Sequence, residues 1–201
     1  MSEDCCPTPN PPTGVPYRRV LWIALFANVA MFLVEVVAAW WSGSSALAAD
    51  AADFLGDSAN YALSLGALAA GGAWVSRVAL LKGTAMSLYG VAVLAYAAWR
   101  AWLAVAPEPI TMGVVGLLAL GVNFGVAVLL FRFREGDANM RSVWLCTRND
   151  VIANILVLVA AAGVFGTGTV WPDVGVAAIL AGLGLSSGRS VIRQARAELN
   201  A

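Results

Sequence analysis

Six stretches of the chain are apolar almost without interruption, at residues 19–41, 45–70, 79–104, 110–131, 142–166 and 171–191. Each is long enough to cross about 30 Å of hydrocarbon as an α-helix rising about 1.5 Å per residue. The joints between them are short: Ser42-Gly43-Ser44, Gly71-Gly72, Pro107-Glu108-Pro109, Glu135-Gly136-Asp137, and the run from Gly166 to Pro172. Glycine, proline and small polar residues at these points are turn chemistry. The pattern predicts an all-α integral membrane protein of six transmembrane helices, the first two joined as a tight hairpin. No internal repeat is evident.

The basic residues orient this bundle. Arg18 and Arg19 precede the first segment, Arg77 and Lys82 flank the second joint, and Arg132, Arg134 and Arg141 surround the fourth. Arg189, Arg193 and Arg196 close the chain, whereas the first and fifth joints carry no basic residue and the third end carries only Arg100. Lysine and arginine collect on the cytoplasmic side, so both termini are expected inside, N-in and C-in. Residues 1–17 are rich in proline and polar side chains and read as a disordered tail without a signal peptide. Residues 18–195 form the expected transport domain, and 196–201 a short tail with no room for a folded cytoplasmic domain after it.

Composition agrees. Hydrophobic residues make up 60 % of the 201, and charged residues only 12 %, against about 25 % in a soluble domain. Mean hydropathy is +0.78. Formal net charge is zero, which implies no nucleic-acid partner. The basic end of the last segment, Arg189, Arg193 and Arg196, suits anionic membrane lipid. The three cysteines, Cys5, Cys6 and Cys146, are no disulfide framework, and the chain has no histidine. Adjacent cysteines in a polar tail are read as incidental or as a metal-capture pair.

Acidic residues inside a membrane are expensive and are functional candidates by default. The second segment holds Asp50, Asp53 and Asp57, spaced i, i+3, i+7 on one helical face, with Asn60 continuing the stripe. The fifth repeats every four residues through Cys146, Asp150 and Asn154, and the first places Asn28 and Glu35 seven apart. Helical rise puts Asp53 and Asp57 about 12–18 Å below the outer end of the second segment, and Cys146 and Asp150 about 8–14 Å above the inner end of the fifth. The two pairs therefore meet near the middle of the bilayer. Two carboxylates facing a thiol and a carboxylate make four convergent ligands of the kind zinc accepts. The plain alternative for each residue is interhelical hydrogen bonding, and for Cys146 a small buried hydrophobe. Matched pairs at compatible depth favour the metal reading for Asp53, Asp57, Cys146 and Asp150. Asp50 stands between an exit-path role and a bond to a neighbouring helix. Glu35 and Asn28 are expected to brace the bundle rather than touch metal, and Asn154 is a possible accessory.

These motifs resemble those of the cation diffusion facilitator family of metal transporters. Residues 28–57, NVAMFLVEVVAAWWSGSSALAADAADFLGD, are similar to that family's first hairpin, with Asn and Glu on helix 1, a Ser-Gly-Ser turn and a metal-binding pair four apart on helix 2. Asp53 and Asp57 match that pair. Cys146 and Asp150 match the family's His-x-x-x-Asp on helix 5, with cysteine in place of histidine. Asp173, in WPDVG, matches an aspartate at the start of helix 6. The family's histidine-rich loop between helices 4 and 5 is replaced by RFREGDANMR, and its C-terminal cytoplasmic domain is not expected here. The resemblance implies proton-coupled efflux of divalent metal from the cytoplasm, by a homodimer rather than an enzyme.

Several negative charges in a low-dielectric site cannot all persist without a cation, so an empty site holds protons that a metal ion displaces. Such competition gives antiport if the site faces each side in turn. One thiolate among carboxylates points to Zn²⁺ and Cd²⁺ as transported substrates, with no organic cofactor. Mn²⁺, Fe²⁺ or Co²⁺ export on the same fold is one alternative. A non-transporting membrane metal sensor or scaffold is another. The expected location is a bacterial inner membrane.

Overall fold

The computed structural model describes residues 15–67, 72–133 and 138–199, with the side chain of Cys146 and those of some other helical residues outside the description. The described residues form six α-helices: α1 Val15–Ser42, α2 Ser45–Ala67, α3 Gly72–Leu103, α4 Pro109–Phe131, α5 Ala138–Thr167 and α6 Trp171–Leu199. The expected segments all appear. Helices α1, α3, α5 and α6 run further than their apolar stretches, because a helix need not stop where the hydrocarbon does. Helix α6 passes the expected boundary at 195. Cys5, Cys6 and most of the expected tail lie outside the described residues, apart from Val15 to Tyr17 in the first turn of α1.

Among the described residues, five helices are long and apolar enough to cross a membrane by length and composition, over Tyr17–Ser42, Ala79–Leu103, Pro109–Phe131, Asn149–Thr167 and Trp171–Ala197. Helix α2 is the exception, and its three aspartates are the reason. It packs against α1, α3, α5 and α6, so neighbours rather than lipid cover its polar face. The outward faces of the other helices are large and apolar. On α1, Phe26, Leu33, Val37 and Trp40 point out while Asn28, Met31, Glu35 and Ala38 point in. This inversion of the soluble pattern follows from lipid being as apolar as a protein core.

The two ends of the bundle differ. Trp40, Trp41, Trp99, Trp102 and Trp171 are exposed around the end that holds the α1–α2, α3–α4 and α5–α6 turns, the place where indole rings favour a membrane interface. Arg18, Arg77, Arg132, Arg189, Arg193 and Arg196 belong to the opposite end, with the start of α1 and the end of α6, as a cytoplasmic face is expected to be.

Glycines set the tight places. Gly43 adopts φ +72° in the first turn, and a Cβ there would lie 2.5 Å from the Arg100 guanidinium. Gly168, at φ +62°, turns the chain between α5 and α6. Helices α3 and α6 pack face to face, and a Cβ on Gly188 would meet Ser87 Oγ at 2.6 Å and the Gly83 carbonyl at 3.0 Å. Small residues let these two backbones approach as membrane helices do. Helix α4 begins with a cap: Glu108 accepts from the amides of Ile110 and Thr111, ahead of Pro109. Its bonds from Thr111 hold that exposed carboxyl below its ordinary pKa.

Candidate metal site

Helices α2 and α5 run antiparallel, and a ladder of polar side chains joins them. At the inner end the Tyr61 and Thr147 hydroxyls share a hydrogen bond of 2.8 Å. In the middle the Asp150 carboxyl faces those of Asp53 and Asp57, and Asp57 also interacts with Tyr61. At the outer end Asn154 Nδ2 donates to both Asp50 oxygens, at 2.9 and 2.8 Å. The i, i+3, i+7 spacing on α2 and the four-residue spacing on α5 make this possible, since each line of residues stays on one helical face.

The ladder extends sideways. Asn154 Oδ1 accepts from Asn123 Nδ2 of α4 at 2.9 Å. Glu35 of α1 is fully buried beside Asp50, and neither of its carboxyl oxygens receives a hydrogen bond. Asp50, Asn154 and Asn123 thus tie α2, α5 and α4 together, with Glu35 of α1 buried beside them. Asp50 takes up the interhelical bond that was one of its two expected roles. Asn28 donates to the Ala24 carbonyl on its own helix, at 2.8 Å, and does not reach the carboxylates.

One cavity of about 610 Å³ runs along the ladder, between α2, α3, α5 and α6. Asp50, Asp53, Asp57 and Asp150 line it, and it extends past Asn60 and Lys82 to Arg193 at the basic end. Gly56 lies between Asp53 and Asp57, and a Cβ there would stand 2.8 Å from the Met86 methyl. The missing side chain therefore lets Met86 of α3 lie against the cavity wall. Asp150 Oδ2 is buried without a hydrogen-bond partner, which marks it as an oxygen able to accept something from the cavity.

Asp53, Asp57 and Asp150 are thus brought together. Cys146 lies one helical turn before Asp150 in α5, with its side chain outside the described residues. Among the described residues no group of three or more His, Cys, Asp or Glu side chains is arranged to hold a metal ion. The three carboxyls are neighbours around a cavity rather than a closed cage.

Two residues of the site carry no metal-ligand pattern and were not singled out by spacing. Lys82 reads in the sequence as an orienting charge at a helix joint, yet it is 8 % exposed, lines the cavity and donates to Asn60 Oδ1. Asn123 is a lone amide in an apolar helix, a signal available in the sequence because intramembrane polar residues seldom lack a partner.

Finally, the cation efflux transmembrane domain matches residues 21–200. The metal cation efflux system protein CzcD of Cupriavidus metallidurans is 27 % identical over 177 residues, covering 81 % of this chain and 55 % of that protein. The cation efflux system protein CzcD of Alcaligenes sp. (strain CT14) matches with the same identity and coverage. The chain spans about half the length of these curated relatives, 55 % in each case.

Proposed function

This chain belongs to the cation efflux family, and from that premise we propose that it exports divalent transition-metal cations from the cytoplasm in exchange for protons, with Zn²⁺ and Cd²⁺ as the preferred substrates. The observation that carries the reading is the meeting of Asp53, Asp57 and Asp150 on one cavity wall. Carboxylates this close repel one another when ionised, and a divalent cation reverses the sign of that interaction. Its arrival draws them inward, with Cys146 as the fourth donor. The protons they held leave as it binds.

The cavity reaches the basic end, which is the entry side for cytoplasmic metal. Toward the outer end stands the hydrogen-bonded Asp50–Asn154–Asn123 network, which we take as the closed side. Export then requires opening there and closing at the basic end. The face-to-face α3–α6 pair is the unit that moves against the α1, α2, α4 and α5 bundle, rocking around a fixed site. The working unit is a homodimer in a bacterial inner membrane.

The described donors are all oxygens, and an oxygen-only set suits Mn²⁺. That second reading holds if Cys146 stays out of the coordination sphere. The test is metal uptake into sealed vesicles under an imposed pH gradient. Zn²⁺ or Cd²⁺ flux that stops when the gradient is collapsed supports the proposal. Flux of Mn²⁺ in preference to both supports the second reading, and metal binding without any flux refutes both.

A further inference from the structure

Burying an ammonium group costs several kcal/mol unless it is paired, so the position of Lys82 calls for a physical reason. Its side chain leaves α3 and enters the cavity just inside the rim that Arg193 marks. It donates to Asn60, which continues the Asp50–Asp53–Asp57 stripe of α2. Its charge acts on both Asp53 and Asp57. Asn60 is three residues from Asp57, so an ammonium held there sits within a turn of that carboxylate on the same helical face, with Asp53 one turn further on.

We infer that Lys82 is a tethered cation that occupies the Asp53–Asp57 side of the site until the transported metal ion displaces it. The inference rests on the metal-site reading above. It concerns a residue that binds no metal itself and sets how tightly metal is held. The ammonium and the incoming ion compete for the same carboxylate charge. A metal ion entering from the basic end passes Lys82 before reaching Asp150, so displacement and entry are one event. Asn60, which accepts from Lys82 Nζ, holds the ammonium beside Asp57 until the ion arrives. When the metal leaves, Lys82 returns and discourages its rebinding.

Lysine suits this role better than arginine. An ammonium is a compact point charge on a flexible four-carbon stem, with donors that rotate freely. A guanidinium forms paired, planar bonds with carboxylates and lets go less readily. Arginine in the same place would hold the aspartates against the metal.

The experiment is Cd²⁺ binding to the full chain in lipid nanodiscs, by competition with a fluorescent chelator at pH 7 and low salt. Lys82→Met is expected to bind Cd²⁺ at least about tenfold more tightly than wild type, since it removes the competitor. Lys82→Gln, which keeps a hydrogen-bonding head for Asn60, shares that expectation and stands in if the methionine variant does not fold. Lys82→Arg is expected to bind no more tightly than wild type. Unchanged or weaker binding by folded Lys82→Met or Lys82→Gln overturns the inference and assigns Lys82 a structural role. Absence of Cd²⁺ binding in wild type overturns the metal-site reading itself, and the inference with it.

Discussion

The Asp173 carboxylate of α6 caps the first turn of α2 through Ser44, whose hydroxyl donates to it at 2.5 Å. The same carboxylate accepts from the amides of Ser45 at 2.7 Å and Ala46 at 3.0 Å. A buried negative charge is tolerated there because three donors and the positive end of the α2 dipole converge on it. The contact spans 129 positions of sequence, so it fixes where the aspartate-bearing helix begins relative to α6. Asp173→Ala strands those donors. We expect a loss of about 3 kcal/mol in thermal unfolding in detergent, with Asp173→Asn losing less.

Asn154 satisfies Asp50 on one side and Asn123 on the other. Asn154→Ala leaves a buried carboxyl without its amide donor, beside a Glu35 that has no donor either. The expected cost is about 2–3 kcal/mol. Exchanging the partners, Asp50→Asn with Asn154→Asp, keeps a donor facing an acceptor. Stability recovered in the double variant, measured as a thermodynamic cycle, identifies the pair as the source of the loss.

Gly188→Ala pushes α3 and α6 apart, because the new methyl meets Ser87 and the Gly83 carbonyl inside van der Waals contact. A destabilisation of about 2 kcal/mol is expected. Gly182→Ala on the same helix has nothing within 4 Å of the added carbon, and helix propensity makes it neutral or mildly stabilising. Unfolding curves of the two variants side by side separate packing from propensity.

Cys146→His replaces a thiolate by an imidazole on the turn before Asp150. The preference is expected to move from Cd²⁺ toward Zn²⁺. The ratio of the two fluxes in one vesicle preparation measures it, and an unchanged ratio removes Cys146 from the coordination sphere.

Much of this arrangement was legible in the sequence. A membrane-spanning helix must be apolar for a fixed length, so six segments and their turns follow from hydropathy and glycine placement. Aspartates at i, i+3, i+7 share a face whatever the tertiary structure, and helical rise gives their depth, which together set Asp53 and Asp57 at the level of Asp150. Other features were not legible. A lysine near a helix joint reads equally as an orienting charge or a cavity residue, and only packing places Lys82 among carboxylates. The Asp50–Asn154 bond depends on the register of α2 against α5, and spacing within one helix is silent on register. Helix ends extending beyond the hydrocarbon leave no hydropathy signal, so α1, α3, α5 and α6 are longer than expected.

The central claim is that carboxylates of α2 and α5 together carry the metal ion. The most direct measurement is Zn²⁺ and Cd²⁺ flux in proteoliposomes under an inward proton gradient, comparing wild type with Asp150→Ala and Gly182→Ala. Gradient-driven flux should fall at least about a hundredfold in Asp150→Ala, equivalent to about 2.7 kcal/mol. Gly182→Ala, whose added carbon has nothing within 4 Å, should retain most of it. Wild-type rates in Asp150→Ala would contradict the account.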